Sequence, residues 1–108
     1  MINKTGVVIA IYRDDKFESL EPDGKAAVLI EMRSDPYNID GVSFRDVEIS
    51  GIRNLPDKTD DLIIVNREVA IFGWSIGRTD LIYLDGCLVK DNNGKIVASQ
   101  TLVKCASE

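Results

Sequence analysis

Residues 81–105 read LIYLDGCLVKDNNGKIVASQTLVKC, and this stretch decides the fold class of the chain. Two runs rich in Leu, Ile, Val and Tyr flank Asn93-Gly94, a dipeptide that readily adopts the positive φ angles of a tight hairpin turn. Apolar and β-branched residues on both sides are typical of paired antiparallel strands. The segment therefore predicts a β-hairpin with its turn at Asn93-Gly94.

The register of this hairpin predicts that the two cysteines of the chain stay apart. A turn at Asn93-Gly94 places Cys87 opposite Gln100 and Cys105 opposite Ile82. The two sulfurs then lie about 16 Å apart along the ladder, which is beyond the reach of a disulfide. Two reduced thiols are typical of a cytosolic protein, and we expect a cytoplasmic location.

The rest of the chain reads as further strands separated by turn residues, with little helical periodicity. Apolar, strand-like segments occur at 6–13, 25–33, 42–52 and 62–75. Residues 37–41 are expected to form a turn region. Six or seven strands without intervening helices predict an all-β fold, an antiparallel sandwich or a small barrel. A chain of 108 residues is near the commonest size of a single domain, so residues 1–108 are expected to form one β domain.

An internal echo links two of these segments. Residues 45–51 and 67–73 share the pattern Arg-acid-Val-x-Ile-x-Gly. A repeat architecture needs about three copies, and the chain contains two. The echo is therefore interpreted as two amphipathic strands that perform the same packing role.

The segment 62–75 differs from the other predicted strands because both of its faces are apolar. It reads either as one strand or as two joined at 66–68. With side chains alternating, Val69 and Ile71 point inward while Phe72 and Trp74 share the opposite face. That second face either covers the protein's own core or forms an exposed patch.

The charge balance favours a protein partner. Thirteen basic and eighteen acidic residues give a net charge of −5, which opposes binding to nucleic acid or to an anionic membrane. The apolar runs are about six residues long, far short of the roughly 20 needed to span a bilayer. The acidic residues cluster, and clusters of this kind are typical of solvated loops. The alternative is that the cluster of Asp57, Asp60 and Asp61 attracts a basic partner.

Enzymatic chemistry has little support in the sequence. The chain has no histidine, which removes the commonest general acid or base and a common metal ligand. Its paired carboxylates occur where turns would use them anyway. The sequence predicts no catalytic residue, no metal site and no cofactor.

We therefore expect a non-enzymatic, acidic, protein-binding module, of the class of an inhibitor or immunity-type protein that engages a basic partner. Trp is a favoured anchor of interfaces. The candidate partner-binding residues are Phe72, Trp74, Arg78, Asp57, Asp60 and Asp61.

The alternative is a small β-barrel that binds single-stranded nucleic acid. Such proteins stack bases on strand aromatics beside basic side chains. The aromatics in predicted strands are Tyr12, Phe44, Trp74 and Tyr83, and the arginines in or beside strands are Arg13, Arg33, Arg45, Arg53 and Arg67. The net charge has the wrong sign for this alternative.

Overall fold

The computed structural model describes residues 1–14, 16–85, 88–90, 96–99 and 101–106. These residues form twelve strands and one helix. The strands are β1 (Ile2–Asn3), β2 (Ile9–Arg13), β3 (Lys16–Leu20), β4 (Val28–Arg33), β5 (Tyr37–Ile39), β6 (Val42–Phe44), β7 (Val47–Arg53), β8 (Ile63–Ile64), β9 (Leu81–Leu84), β10 (Leu88–Lys90), β11 (Ile96–Ser99) and β12 (Leu102–Lys104), and the helix is α1 (Arg67–Ser75).

The predominance of strands is confirmed, but the arrangement differs from a single antiparallel sandwich or barrel. The described strands form four open sheets, in the orders β1-β8-β9-β12, β10-β11-β2-β3, β4-β7 and β5-β6. Three of the pairings, β1 with β8, β8 with β9 and β11 with β2, are parallel. A parallel pair needs a crossover connection, which strand-by-strand reading of the sequence does not reveal.

The antiparallel pairing within 81–105 is confirmed. Leu88 lies opposite Ser99 and Val89 opposite Ala98, in the predicted register. The pairing of β9 with β12 is shifted by one residue, so that Ile82 lies opposite Lys104 rather than Cys105.

The predicted turn at Asn93-Gly94 lies outside the described residues, as do Cys87 and Gln100. Cys105 is a half-buried free thiol.

The prediction of a strand through 62–75 is wrong for most of its length, because residues 67–75 form the helix α1. Val69, Ala70 and Gly73 are its buried residues. Their spacing of one and four residues places them on one helical face. Ile71, which the strand interpretation points inward, is 46% exposed. The strands β8 and β9 are parallel, so the chain between them must cross over, and α1 provides that connection.

The core lies on both faces of the sheet that contains β8 and β9. On one face, Ile63 and Leu81 pack with Val69 and Ala70 of α1, and we call this group the helix-side core cluster. On the other face, Ile64 and Ile82 pack against Ile9 of β2. The sheet is therefore covered by the helix on one side and by β2 on the other, and β8 is apolar on both faces for that reason.

Residues 28–53 form a long β-hairpin, which we call the arm. Its strands pair antiparallel, β4 with β7 and β5 with β6. Asp40 and Gly41 have φ angles of 52° and 77° at the turn, as a type I′ hairpin turn requires. At about 3.3 Å per residue, the arm is roughly 40 Å long, and the molecule measures 57 Å along its longest axis.

The base of the arm is fixed to the core. Leu29 and Ile52 are opposite each other in the ladder and pack against the helix-side core cluster. The Asn54 side-chain amide donates a hydrogen bond of 3.1 Å to the carbonyl of Ala26, just outside the ladder. The arm therefore extends from an anchored base toward an exposed tip.

Candidate functional site

The structure separates Phe72 and Trp74, which the strand interpretation placed on one face. Both lie on α1, and side chains two residues apart on a helix point in different directions. Both are half-buried. The sequence signal for a shared aromatic patch came from the strand period of two, which does not apply to a helix.

Trp74 makes its contacts within the protein. Its indole Nε1–H donates a hydrogen bond of 2.8 Å to the carbonyl of Leu81. Its ring lies 5.9 Å from that of Tyr83, tilted by 33°. The side chain packs against the helix-side core cluster. A partly buried aromatic that packs on the core and whose polar group is satisfied internally is typical of a structural residue.

Arg78 also makes its contacts within the molecule. Its Nε and Nη2 donate to the two carboxylate oxygens of Asp80 at 3.0 and 2.9 Å. Nη2 also donates to the carbonyl of Pro56 at 2.9 Å. Arg78 thus connects the segment after α1 to the loop that follows the arm, and the Asp80 side chain is only 5% exposed.

The pKa values of this pair reflect that geometry. The hydrogen bonds from Arg78 lower the pKa of Asp80 below its ordinary value of 3.8, although burial opposes the shift. The pKa of Arg78 is raised, chiefly by its hydrogen bond to Asp80, with a smaller contribution from the charge of Asp57. The pair therefore stays ionised throughout the neutral range.

We expect the Asp80→Asn substitution to cost about 2 kcal/mol of folding free energy at neutral pH, since hydrogen bonds between charged groups contribute about that much. The folded pKa of Asp80 is depressed, so its stabilisation is complete well above the ordinary carboxyl pKa of 3.8 and is lost as the pH falls through the folded pKa. Urea unfolding from pH 7 to 2 should show a shallower acid loss for Asp80→Asn than for the parent protein.

Arg78→Gln supplies the matched comparison. Because the two side chains act on each other, the costs of Asp80→Asn and Arg78→Gln should not add in the double variant. Additive costs, or an unchanged acid slope in Asp80→Asn, would contradict a stabilising ion pair.

The three acidic candidates lie in the loop between β7 and β8. Asp57, Asp60 and Asp61 are all exposed. Asp57 lies near enough to Arg78 to influence its pKa. Their role toward a partner stays a prediction.

A surface that the sequence interpretation missed lies at the tip of the arm. Tyr37 pairs with Phe44 and Ile39 pairs with Val42, so the four side chains share one face of the hairpin, which we call the tip face. They are 41%, 44%, 50% and 55% exposed respectively. Asn38 and Ser43 occupy the opposite face, because side chains alternate along a strand.

The aromatic pair of the tip face is held in place by contacts within the arm. The rings of Tyr37 and Phe44 are stacked, with centroids 6.4 Å apart and planes inclined by 28°. The Tyr37 hydroxyl donates a hydrogen bond of 2.7 Å to Oδ1 of Asp46, which raises the pKa of Tyr37. The backbone N–H of Asp46 in turn donates to Oγ of Ser34 at 2.9 Å.

A small cavity lies beside the start of α1. Thr5, Asn66, Arg67 and Tyr83 contribute to the lining of a cavity of about 100 Å³. Pockets that hold small-molecule ligands have volumes of about 300–1,000 Å³. Among the described residues no three His, Cys, Asp or Glu side chains are grouped to hold a metal ion.

Comparisons with known proteins leave the function to be inferred from these residues. No protein-family model matches the chain, and searches of curated proteins and of solved structures find no significant match. Within the part of the chain that the structure describes, no helix is long and apolar enough to cross a membrane.

Proposed function

We propose that this chain is a non-enzymatic protein-binding module that contacts its partner through the tip face of the arm. The observation that carries the proposal is the exposure of Tyr37, Phe44, Ile39 and Val42 together on one side of a two-stranded hairpin. Contiguous exposed apolar side chains on a soluble domain are typical of an interaction site.

The energetics of the arm support a partner on this face. A two-stranded hairpin is marginally stable in water unless its apolar face is covered. Each square ångström of apolar surface removed from water contributes about 25 cal/mol. Tyr37 and Phe44 supply the aromatic surface that commonly anchors interfaces.

The stacked geometry of the aromatic pair lowers the entropic cost of binding. The hydrogen bond from Tyr37 to Asp46 and the stacking with Phe44 hold both rings in one arrangement in the free protein. Side chains that are already ordered lose less freedom when a partner covers them. The tip face is therefore better suited to binding than an equal area of mobile side chains.

Site-specific photo-crosslinking tests this proposal. A benzophenone amino acid replaces Val42 on the tip face in one variant and Ser43 on the opposite face in a matched control. After irradiation in cells that express the protein, we expect Val42→benzophenone to give a discrete protein adduct and the Ser43 variant to give none. Mass spectrometry identifies what has been captured.

The outcomes separate the functional classes. Adducts of equal yield from both positions, or none from Val42, would refute a binding role for the tip face. Adducts of Val42 that disappear on nuclease treatment would favour the nucleic-acid alternative. A discrete adduct with one identified protein, formed from Val42 and absent from the Ser43 control, supports the proposed function.

A further inference from the structure

We propose that the partner of the tip face is a basic protein surface, an apolar groove or pocket rimmed by Lys or Arg side chains. This inference rests on the proposed function and specifies the chemistry of the partner. It follows from the charges that border the tip face.

The tip of the arm carries more negative than positive charge. Residues 34–46 contain three acidic residues, Asp35, Asp40 and Asp46, and one basic residue, Arg45. All four are exposed. Asp40 occupies the turn, one residue beyond Ile39, while Asp46 lies beside the aromatic end and accepts the Tyr37 hydroxyl. The apolar tip face is therefore bordered by carboxylates at both of its ends.

These carboxylates are not compensated within the structure. The ion pairs formed by the described residues are Arg13 with Glu18, Arg33 with Glu31 and Arg78 with Asp80. None of them includes an acid of the tip. A partner that covers the tip face removes water from the neighbouring carboxylates, which is costly unless opposite charges replace that water. Lysine or arginine side chains at the rim of the partner meet that requirement.

The same charges disfavour other occupants. A second copy of this chain, with a net charge of −5, would bring like charges together at the tip. The phosphates of a nucleic acid would do the same. A basic partner is attracted both by the acids of the tip and by the net charge of the chain, which also speeds encounter.

Two matched peptides test the inference with a defined probe. Blocked hexapeptides KVTFKV and EVTFEV share apolar residues and differ only in the sign of their charges. In amide NMR titrations at low salt, we expect KVTFKV to shift the signals of residues 37–46 and EVTFEV to bind at least about tenfold more weakly. Addition of 0.5 M NaCl should remove most of that difference, because the interaction is solvent-exposed.

Two charge variants locate the responsible carboxylates. One neutralises Asp35, Asp40 and Asp46 to Asn, and the other neutralises the loop acids Asp57, Asp60 and Asp61 to Asn. Both raise the net charge by the same amount. Asn tolerates the positive φ of Asp40, so the hairpin turn is preserved. We expect the tip variant to bind KVTFKV about tenfold more weakly than the loop variant.

Each outcome bears on one hypothesis. Equal binding of the two peptides, no binding of KVTFKV at the tip, or a selective loss in the loop variant would overturn the inference. The proposed function would still stand if Val42 captures a protein in the crosslinking experiment. Capture of a second copy of this chain at Val42 supports the proposed function and overturns the basic partner.

Discussion

Replacement of Trp74 by alanine is expected to lower the free energy of unfolding by about 3 kcal/mol, the lower end of the range for buried tryptophans. The side chain packs on the core cluster and on Tyr83, and its indole donates to the Leu81 carbonyl. Removal leaves a cavity and an unpaired carbonyl. The urea midpoint should fall by about 1.5 M, measured by circular dichroism because Trp74 is the only tryptophan.

Trp74→Phe provides the matched control. It retains most of the ring packing and loses the hydrogen bond to Leu81, so it should cost about 1 kcal/mol. If Trp74→Ala leaves stability unchanged but abolishes protein capture, the tryptophan is an interface anchor rather than a core residue. That result would move the candidate site from the arm to α1.

The Gly73→Val substitution is expected to cost about 3 kcal/mol. Gly73 is buried in α1, and a Cβ at this position would overlap Cδ1 of Leu81, which is itself fully buried. Inserting side-chain atoms into a packed core costs about 1–3 kcal/mol, and valine also has a lower helix propensity than the straight-chain residues. Urea unfolding followed by tryptophan fluorescence measures the change.

This substitution distinguishes the helix from the strand that the sequence suggests. In a β-strand, exchanging glycine for valine generally improves stability, because valine fits a pleated surface. Gly51→Val is the matched control, since Gly51 lies in β7 and an added Cβ there approaches only Cδ1 of Ile30, at 3.8 Å. Equal effects of the two substitutions would argue against the packing of α1 on β9.

The hairpin near the C-terminus is the part of the fold that local sequence predicts best. Asn93-Gly94 and the apolar runs around it are close together in the chain, so their pairing requires no knowledge of distant residues. The observed pairs Leu88 with Ser99 and Val89 with Ala98 follow that register. The register shifts by one residue on both sides of these pairs, since Lys90 lies opposite Ile96 nearer the turn and Ile82 lies opposite Lys104 farther from it. Such irregularities insert an extra residue into one strand, which the turn sequence does not predict.

The internal echo shows why α1 is difficult to predict. Residues 45–51 and 67–73 share one pattern, yet the first lies largely in β7 and the second in α1. In β7, Val47 is 53% exposed, whereas Val69 of the helix is 1% exposed. The same local pattern therefore forms a strand in one place and a helix in the other. Contacts with β4 stabilise the strand at 47–51, and the crossover from β8 to β9 stabilises the helix at 67–73.

The tip face leaves a signal that the sequence interpretation did not use. Ile39-Asp40-Gly41-Val42 places Asp-Gly between apolar residues, which is a strong hairpin signal. The interpretation of all of 37–41 as a turn region concealed the pairing of Tyr37 with Phe44. Even a correct hairpin prediction would not show that this face lacks a cover, since exposure depends on where the rest of the chain packs.

The sequence by itself determined the predominance of strands, the lack of histidine chemistry and the pairing across residues 88–99, because these depend on composition and on neighbours in the chain. Only the tertiary structure decided that 67–75 is a helix, that Trp74 donates to Leu81, and that the tip face stays exposed. Those outcomes depend on contacts between residues far apart in sequence. Such contacts outweigh local preferences of a few tenths of a kcal/mol per residue.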